Sequence, residues 1–66
     1  MKVNSEDFNL NDLSTGTVSG LIGHFKLNPE HVAVDLNGII IKPDSYDSIK
    51  LEKNDIVELI HFVGGG

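Results

Sequence analysis

The chain has 66 residues, a net charge of −5 and no cysteine. That length allows one domain. A chain so short buries only about 60% of its unfolded surface, which leaves little room for a deep catalytic cleft and favours a binding or carrier module. Without cysteine there are no disulfides, zinc–cysteine sites, cysteine-ligated iron–sulfur clusters or thiol nucleophile, so packing and hydrogen bonds must hold the fold.

Lys2 to Asn4 and Asp7 to Leu10 read as two short strands of a hairpin, turning near Asn4, Ser5 and Glu6. The stretch TVSGLIGHFKLNP predicts a helix. Val18, Leu21, Ile22 and Phe25 fall at i, i+3, i+4 and i+7, one apolar stripe. Thr17 is the expected N-cap, its hydroxyl meeting a free amide of the first turn. Gly20 and Gly23 each cost the helix about 1 kcal/mol against Ala, so a sheet under the stripe must support it. Asn28-Pro29 is the expected stop.

In HVAVDLNG, Val32, Val34 and Leu36 alternate with Ala33 and Asp35, the period of a half-buried strand. Asn37-Gly38 predicts a tight hairpin, since both residues tolerate positive φ. Ile39, Ile40 and Ile41 form the return strand. Pro43, Asp44 and Ser45 read as a turn or single helical turn, anchored by the Tyr46 ring. Lys53, Asn54 and Asp55 make a polar turn into IVELIHFV, the most strand-like run of the chain. Glu58 shares a face with Ile56, Ile60 and Phe62, which assigns Val57, Leu59, His61 and Val63 to the core. The order β-β-α-β-β-β, one helix crossing a small mixed sheet, is an α+β design.

No apolar run approaches the ~20 residues of a membrane helix, and MKVNSEDFNL lacks a signal-peptide core. The cytoplasm is expected, with no membrane partner. Five lysines, from Lys2 to Lys53, form no basic patch, which argues against nucleic acid. The acidic surface suits a partner with a basic docking face.

The helix beginning near TV, then VAVDLNGIII, a short turn with an aromatic residue, and NDIVELIHFVGGG at the end resemble the ThiS family of thiamine-biosynthesis sulfur carriers. The likeness runs from about Thr17 to Gly66. It implies a ubiquitin-like β-grasp domain over residues 1–63 and a flexible tail of Gly64, Gly65 and Gly66. Members are not enzymes and bind no cofactor. A ThiF-like adenylating enzyme uses ATP to activate the C-terminal glycine, here Gly66. A persulfide enzyme donates sulfur, and a ThiG-like thiazole synthase receives it. The first strand is shorter than usual in the family. IKPDSY also departs from the family's usual Pro-Arg before an acidic residue and Trp.

The residues suit that chemistry. The α-carboxyl of Gly66 has a reference pKa of about 3.5 and is ionised at neutral pH. Its adenylate offers AMP as leaving group, and displacement by sulfur leaves a thiocarboxylate. Three extended residues reach about 10 Å, and glycine fits a narrow channel because it has no β-carbon. Ile60, Phe62 and Val63, with Ile41 a further candidate, would dock the body, and Glu58 and Asp35 would form an acidic rim.

Plainer readings stand beside these. Three terminal glycines also fit a frayed end or a cloning remnant. Ile60 and Phe62 also fit burial against the sheet's other edge. His24, His31 and His61 match no metal motif. Asp44, Asp47, Glu52 and Asp55 lack EF-hand spacing and read as solvated turn residues. Rival functions are sulfur transfer to molybdopterin or an amino acid, a ubiquitin-like modifier joined through Gly66, and a passive interaction domain.

Overall fold

The computed structural model describes residues 1–62. Val63, Gly64, Gly65 and Gly66 lie outside the described residues, and with them the expected tail. Strands β1 (Lys2–Val3), β2 (Glu6–Asp7), β3 (Val32–Leu36), β4 (Ile39–Ile41) and β5 (Ile56–His61) form one sheet in the order β2-β1-β5-β3-β4. β1 and β5 run parallel, and the other neighbours are antiparallel. Helix α1 (Val18–His24) covers one face, and 3-10 turns occupy Leu10–Asp12, Pro29–His31 and Pro43–Ser45.

The first hairpin is tighter than its sequence suggests. Asn4 and Ser5 alone make the loop, with φ of 52° and 71°, the double positive φ of a type I′ hairpin turn. Val3 pairs with Glu6 and Lys2 with Asp7. The second strand is therefore Glu6–Asp7, not Asp7 to Leu10. After it the Asn9 side chain accepts from the Asn11 amide at 2.9 Å and winds Leu10–Asp12 into a 3-10 turn.

Thr17 caps α1 as expected, its hydroxyl accepting from the Gly20 amide at 3.1 Å. The Val18 and Ser19 amides donate to the carbonyls of Ile49 and Tyr46, so the loop after β4 satisfies the rest of the first turn. The helix ends before Asn28-Pro29. Lys26, at φ 58°, donates to the Gly23 carbonyl at 3.0 Å and Leu27 to the Ile22 carbonyl at 3.1 Å. These are the two bonds of a Schellman stop, with lysine where glycine is usual. Phe25 thus sits at the helix end, exposed, against the rings of Phe8 and His24. The stripe delivers only Val18, Leu21 and Ile22 to the core.

Val3, Val32, Val34, Val57 and Leu59 meet that stripe from the sheet. Tyr46 is buried and its hydroxyl donates to the Val32 carbonyl at 3.0 Å, anchoring the loop as expected. Desolvation raises its pKa above the usual phenol value of 10.0. Leu13 and Leu51, in segments without strand or helix periodicity, complete the core. His61 departs from expectation: it shares the face of Val57 and Leu59 but is exposed, beside a groove instead of beneath the helix.

Candidate functional site

Strand β5 organises the functional end of the molecule. It lies between β1 and β3, so its hydrogen-bonding edges are paired on both sides at its start. Even-numbered residues bond toward β3: the Ile56 carbonyl accepts from the Asn37 amide at 2.8 Å, and the Phe62 amide donates to the His31 carbonyl at 2.9 Å. Odd-numbered residues bond toward β1: the carbonyls of Asp55 and Val57 accept from the amides of Lys2 and Asn4. The chain is thus held in a defined direction up to Phe62, whose ring centroid lies 6.4 Å from that of His31.

The entry to β5 is fixed by asparagine chemistry. Asn37 (φ 54°) and Gly38 (φ 89°) turn the β3–β4 hairpin. The Asn37 side chain then accepts from the Ile56 amide at 2.8 Å and donates to Asp55 at 3.0 Å. The other Asp55 oxygen accepts from the Glu52 amide at 2.8 Å. Asp47 accepts a hydrogen bond from the Ser19 hydroxyl. These carboxylates serve local structure, and among the described residues no cluster of three His, Asp or Glu side chains is placed to hold a metal.

The sheet face away from α1 carries the expected apolar side chains. Ile60 is 51% and Phe62 46% exposed, so neither is buried in the chain's own core. Ile60 stands opposite Ala33, and Glu58 opposite Asp35, which in turn faces Ile40. Ile40, exposed, belongs to this face; Ile41 does not. The two-residue turn sets a register that pairs Ile41 with Val34, and so points it to the helix side, half-buried against the core. Of the two acidic residues, Asp35 is engaged by the Gly38 amide at 2.8 Å, whereas Glu58 is exposed. Lys2 and Asp7 form an ion pair of 2.7 Å. The hydrogen bond and charge of Lys2 lower the Asp7 pKa below 3.8, but solvent surrounds both groups and the pair adds little stability.

The opposite side of the same strand holds a feature that hydrophobic periodicity does not announce. A groove of about 440 Å³ lies beside Leu59 and His61, floored by Val3, Phe8, Phe25 and Leu27 and rimmed by Asn4, Glu6 and Asp7. Its one sequence cue is Asn4-Ser5, a pair in which asparagine tolerates positive φ.

A mixed sheet gripping a single helix, with a central strand leading to the glycine-rich end, defines a ubiquitin-like β-grasp protein. The crystal structure of the thiamine biosynthesis protein ThiS from Geobacter metallireducens superposes with a TM-score of 0.78 at 29% identity, covering 98% of this chain and 96% of that one. The sulfur carrier protein ThiS of Bacillus subtilis is 38% identical over 52 residues, 79% of each chain. A thiazole synthase from Magnetococcus marinus is 36% identical over 50 residues, 76% of this chain but 15% of that protein. The profile of the ThiS family matches residues 1–66. The chain belongs to the ThiS family.

Proposed function

We propose that this protein is a sulfur carrier of thiamine biosynthesis, acting as a protein co-substrate in the cytoplasm and not as an enzyme. Gly66 is the group that carries sulfur. In a ThiF-like partner its carboxylate oxygen attacks the α-phosphorus of ATP and expels pyrophosphate, giving an acyl adenylate. Hydrosulfide then displaces AMP and leaves the thiocarboxylate. With a persulfide donor the first product is an acyl disulfide, which a thiol reduces to the same end group. Gly64 and Gly65 lead the carboxyl into the partner, their lack of β-carbons suiting a narrow passage.

The observation that carries this reading is the whole-length match to the ThiS family, in a chain whose central strand runs out toward three glycines. The exposed Ile60 and Phe62 at the end of that strand support docking of the body beside the tail, together with Val63. Glu58, exposed on that face, supplies a charge for a basic partner residue. A stretch similar to this chain occurs within proteins named thiazole synthase, which supports a ThiG-like synthase as the acceptor.

The test is intact-mass spectrometry after incubation with a ThiF-like enzyme, ATP and sulfide. Replacement of one oxygen by sulfur, located at Gly66, is expected. An unchanged mass, in a mixture that converts a known carrier, would overturn the assignment.

A further inference from the structure

The two edges of β5 are not matched in length. On the β3 side pairing continues to Phe62, through Ala33 with Ile60, Val32 with His61, and the Phe62–His31 bond. On the β1 side the strand ladder stops at Val3 with Val57. Asn4 extends it by one step in an unusual way. Its backbone has turned to φ 52°, and its side-chain carbonyl takes the place a strand carbonyl would hold, accepting from the Leu59 amide at 2.7 Å. By the alternation of the strand, the next groups on that edge are the Leu59 carbonyl and the amide and carbonyl of His61. None has a hydrogen-bond partner among the described residues. They border the groove of Phe8, Phe25 and Leu27.

We propose that this open edge of β5 at Leu59–His61 accepts an extended segment of the enzyme that takes up Gly66, paired as an added strand with one apolar side chain in the groove. The inference rests on the carrier reading above. Free amides and carbonyls on a strand edge are satisfied by another strand, and side chains alternating along it select the sequence. The floor of the groove is aromatic and aliphatic, so the inward side chain is apolar. Glu6 lies on the rim and makes no ion pair among the described residues, so a lysine or arginine flanking the inward residue completes the match. Location identifies the occupant. Gly66 is the fifth residue after His61, at most about 18 Å of extended chain away. An enzyme that encloses the terminal carboxyl therefore comes within that distance of this edge.

Proline separates the backbone contribution from the side chain. The His61 amide makes no bond among the described residues, so His61→Pro removes the donor and sets a ring on the edge while the β3 ladder stays intact, the position at which strands tolerate proline. Affinity for the adenylating enzyme is measured by calorimetry for the intact chain and for His61→Pro and His61→Ala. His61→Pro is expected to bind at least about tenfold more weakly than His61→Ala, the scale of one lost hydrogen bond plus a steric block. Equal affinities would overturn the proposal. Should His61→Pro lose its fold by circular dichroism, Phe25→Glu decides instead. Phe25 is an exposed helix-end residue, and a charge there is expected to cost about tenfold in affinity; unchanged binding would overturn the proposal.

Amide exchange gives an independent readout. The His61 amide is expected to exchange fast in the free protein and slowly in the complex. Fast exchange in both would overturn the idea. So would protection in the free protein, which at all concentrations means the chain's own tail and at high concentration only means a second copy. Failure of the intact chain to be adenylated at all would instead refute the carrier reading.

Discussion

Gly20 offers a test of the packing logic, because helix propensity and tertiary contact predict opposite signs. Propensity alone says that Gly20→Ala gains about 1 kcal/mol. In the structure, a β-carbon at Gly20 would stand 1.8 Å from the Thr15 carbonyl oxygen and 2.8 Å from its carbon. For its oxygen to reach even 3.0 Å the Thr15 peptide must retreat about 1.2 Å, the difference between 3.0 and 1.8 Å. That peptide is not free to move. One residue on, the Gly16 carbonyl accepts from the Leu51 amide at 2.8 Å, and Thr17 caps the helix. Retreat breaks one or both bonds, each worth about 1 kcal/mol, and adds about 1–3 kcal/mol of overpacking. After the propensity gain, a net loss of about 2 kcal/mol is expected, and a melting temperature lower by ~8–16 °C for a domain of this size. Gly23 is the internal control: nothing lies within 4 Å of its β-carbon position. Gly23→Ala is expected to raise stability by about 0.5–1 kcal/mol. Thermal and urea unfolding of the two variants gives both numbers. A Gly20→Ala protein as stable as its Gly23→Ala counterpart would refute the claim that a backbone crossing selects glycine here.

Tyr46→Phe removes the hydroxyl that donates to the Val32 carbonyl but keeps the ring. A loss of about 1 kcal/mol is expected, measured by urea unfolding, with an unchanged m-value if only the anchor is lost. Ile60→Asp is expected to leave the melting temperature within a few degrees, since the side chain is half in solvent. It should weaken binding to the adenylating enzyme by about thirtyfold, the scale of a central apolar anchor, and wild-type affinity would exclude the outer sheet face as the docking surface.

What the sequence discloses and what it hides divide along a physical line. Short-range patterns translate well. Val18, Leu21 and Ile22 reach the core through helical periodicity, Thr17 caps through its hydroxyl, and Asn37-Gly38 turns through positive φ. Contacts between distant segments do not. The place of Leu13 and Leu51 in the core and the collision of Gly20 with Thr15 depend on where loops cross, which no local period encodes. Lys26 in the left-handed conformation hides the helix end, since the usual signal there is glycine. Ile60 and Phe62 are legible as an outer face because Glu58 marks its side. Ile41 was assignable only from the hairpin register, which also moves Ile40 into its place.

The same register explains why a central strand, and not an edge strand, leads to the tail. An edge strand is held by one neighbour and can fray as a unit; β5 is held on the β1 side as far as Leu59, through Asn4, and on the β3 side as far as Phe62, through His31. Support therefore falls in steps, two neighbours and then one, as the chain approaches its glycines. A load on the C-terminus is met by bonds in shear along both sides of the strand, and the last segment with a single neighbour has backbone groups free for a partner. Deep anchorage and an available edge are properties of one strand only because the first hairpin is short. Lengthening β1 by two residues would close the edge at Leu59–His61 from within the molecule, so the brevity of that hairpin, an oddity of the sequence, is what leaves those backbone groups without a partner among the described residues.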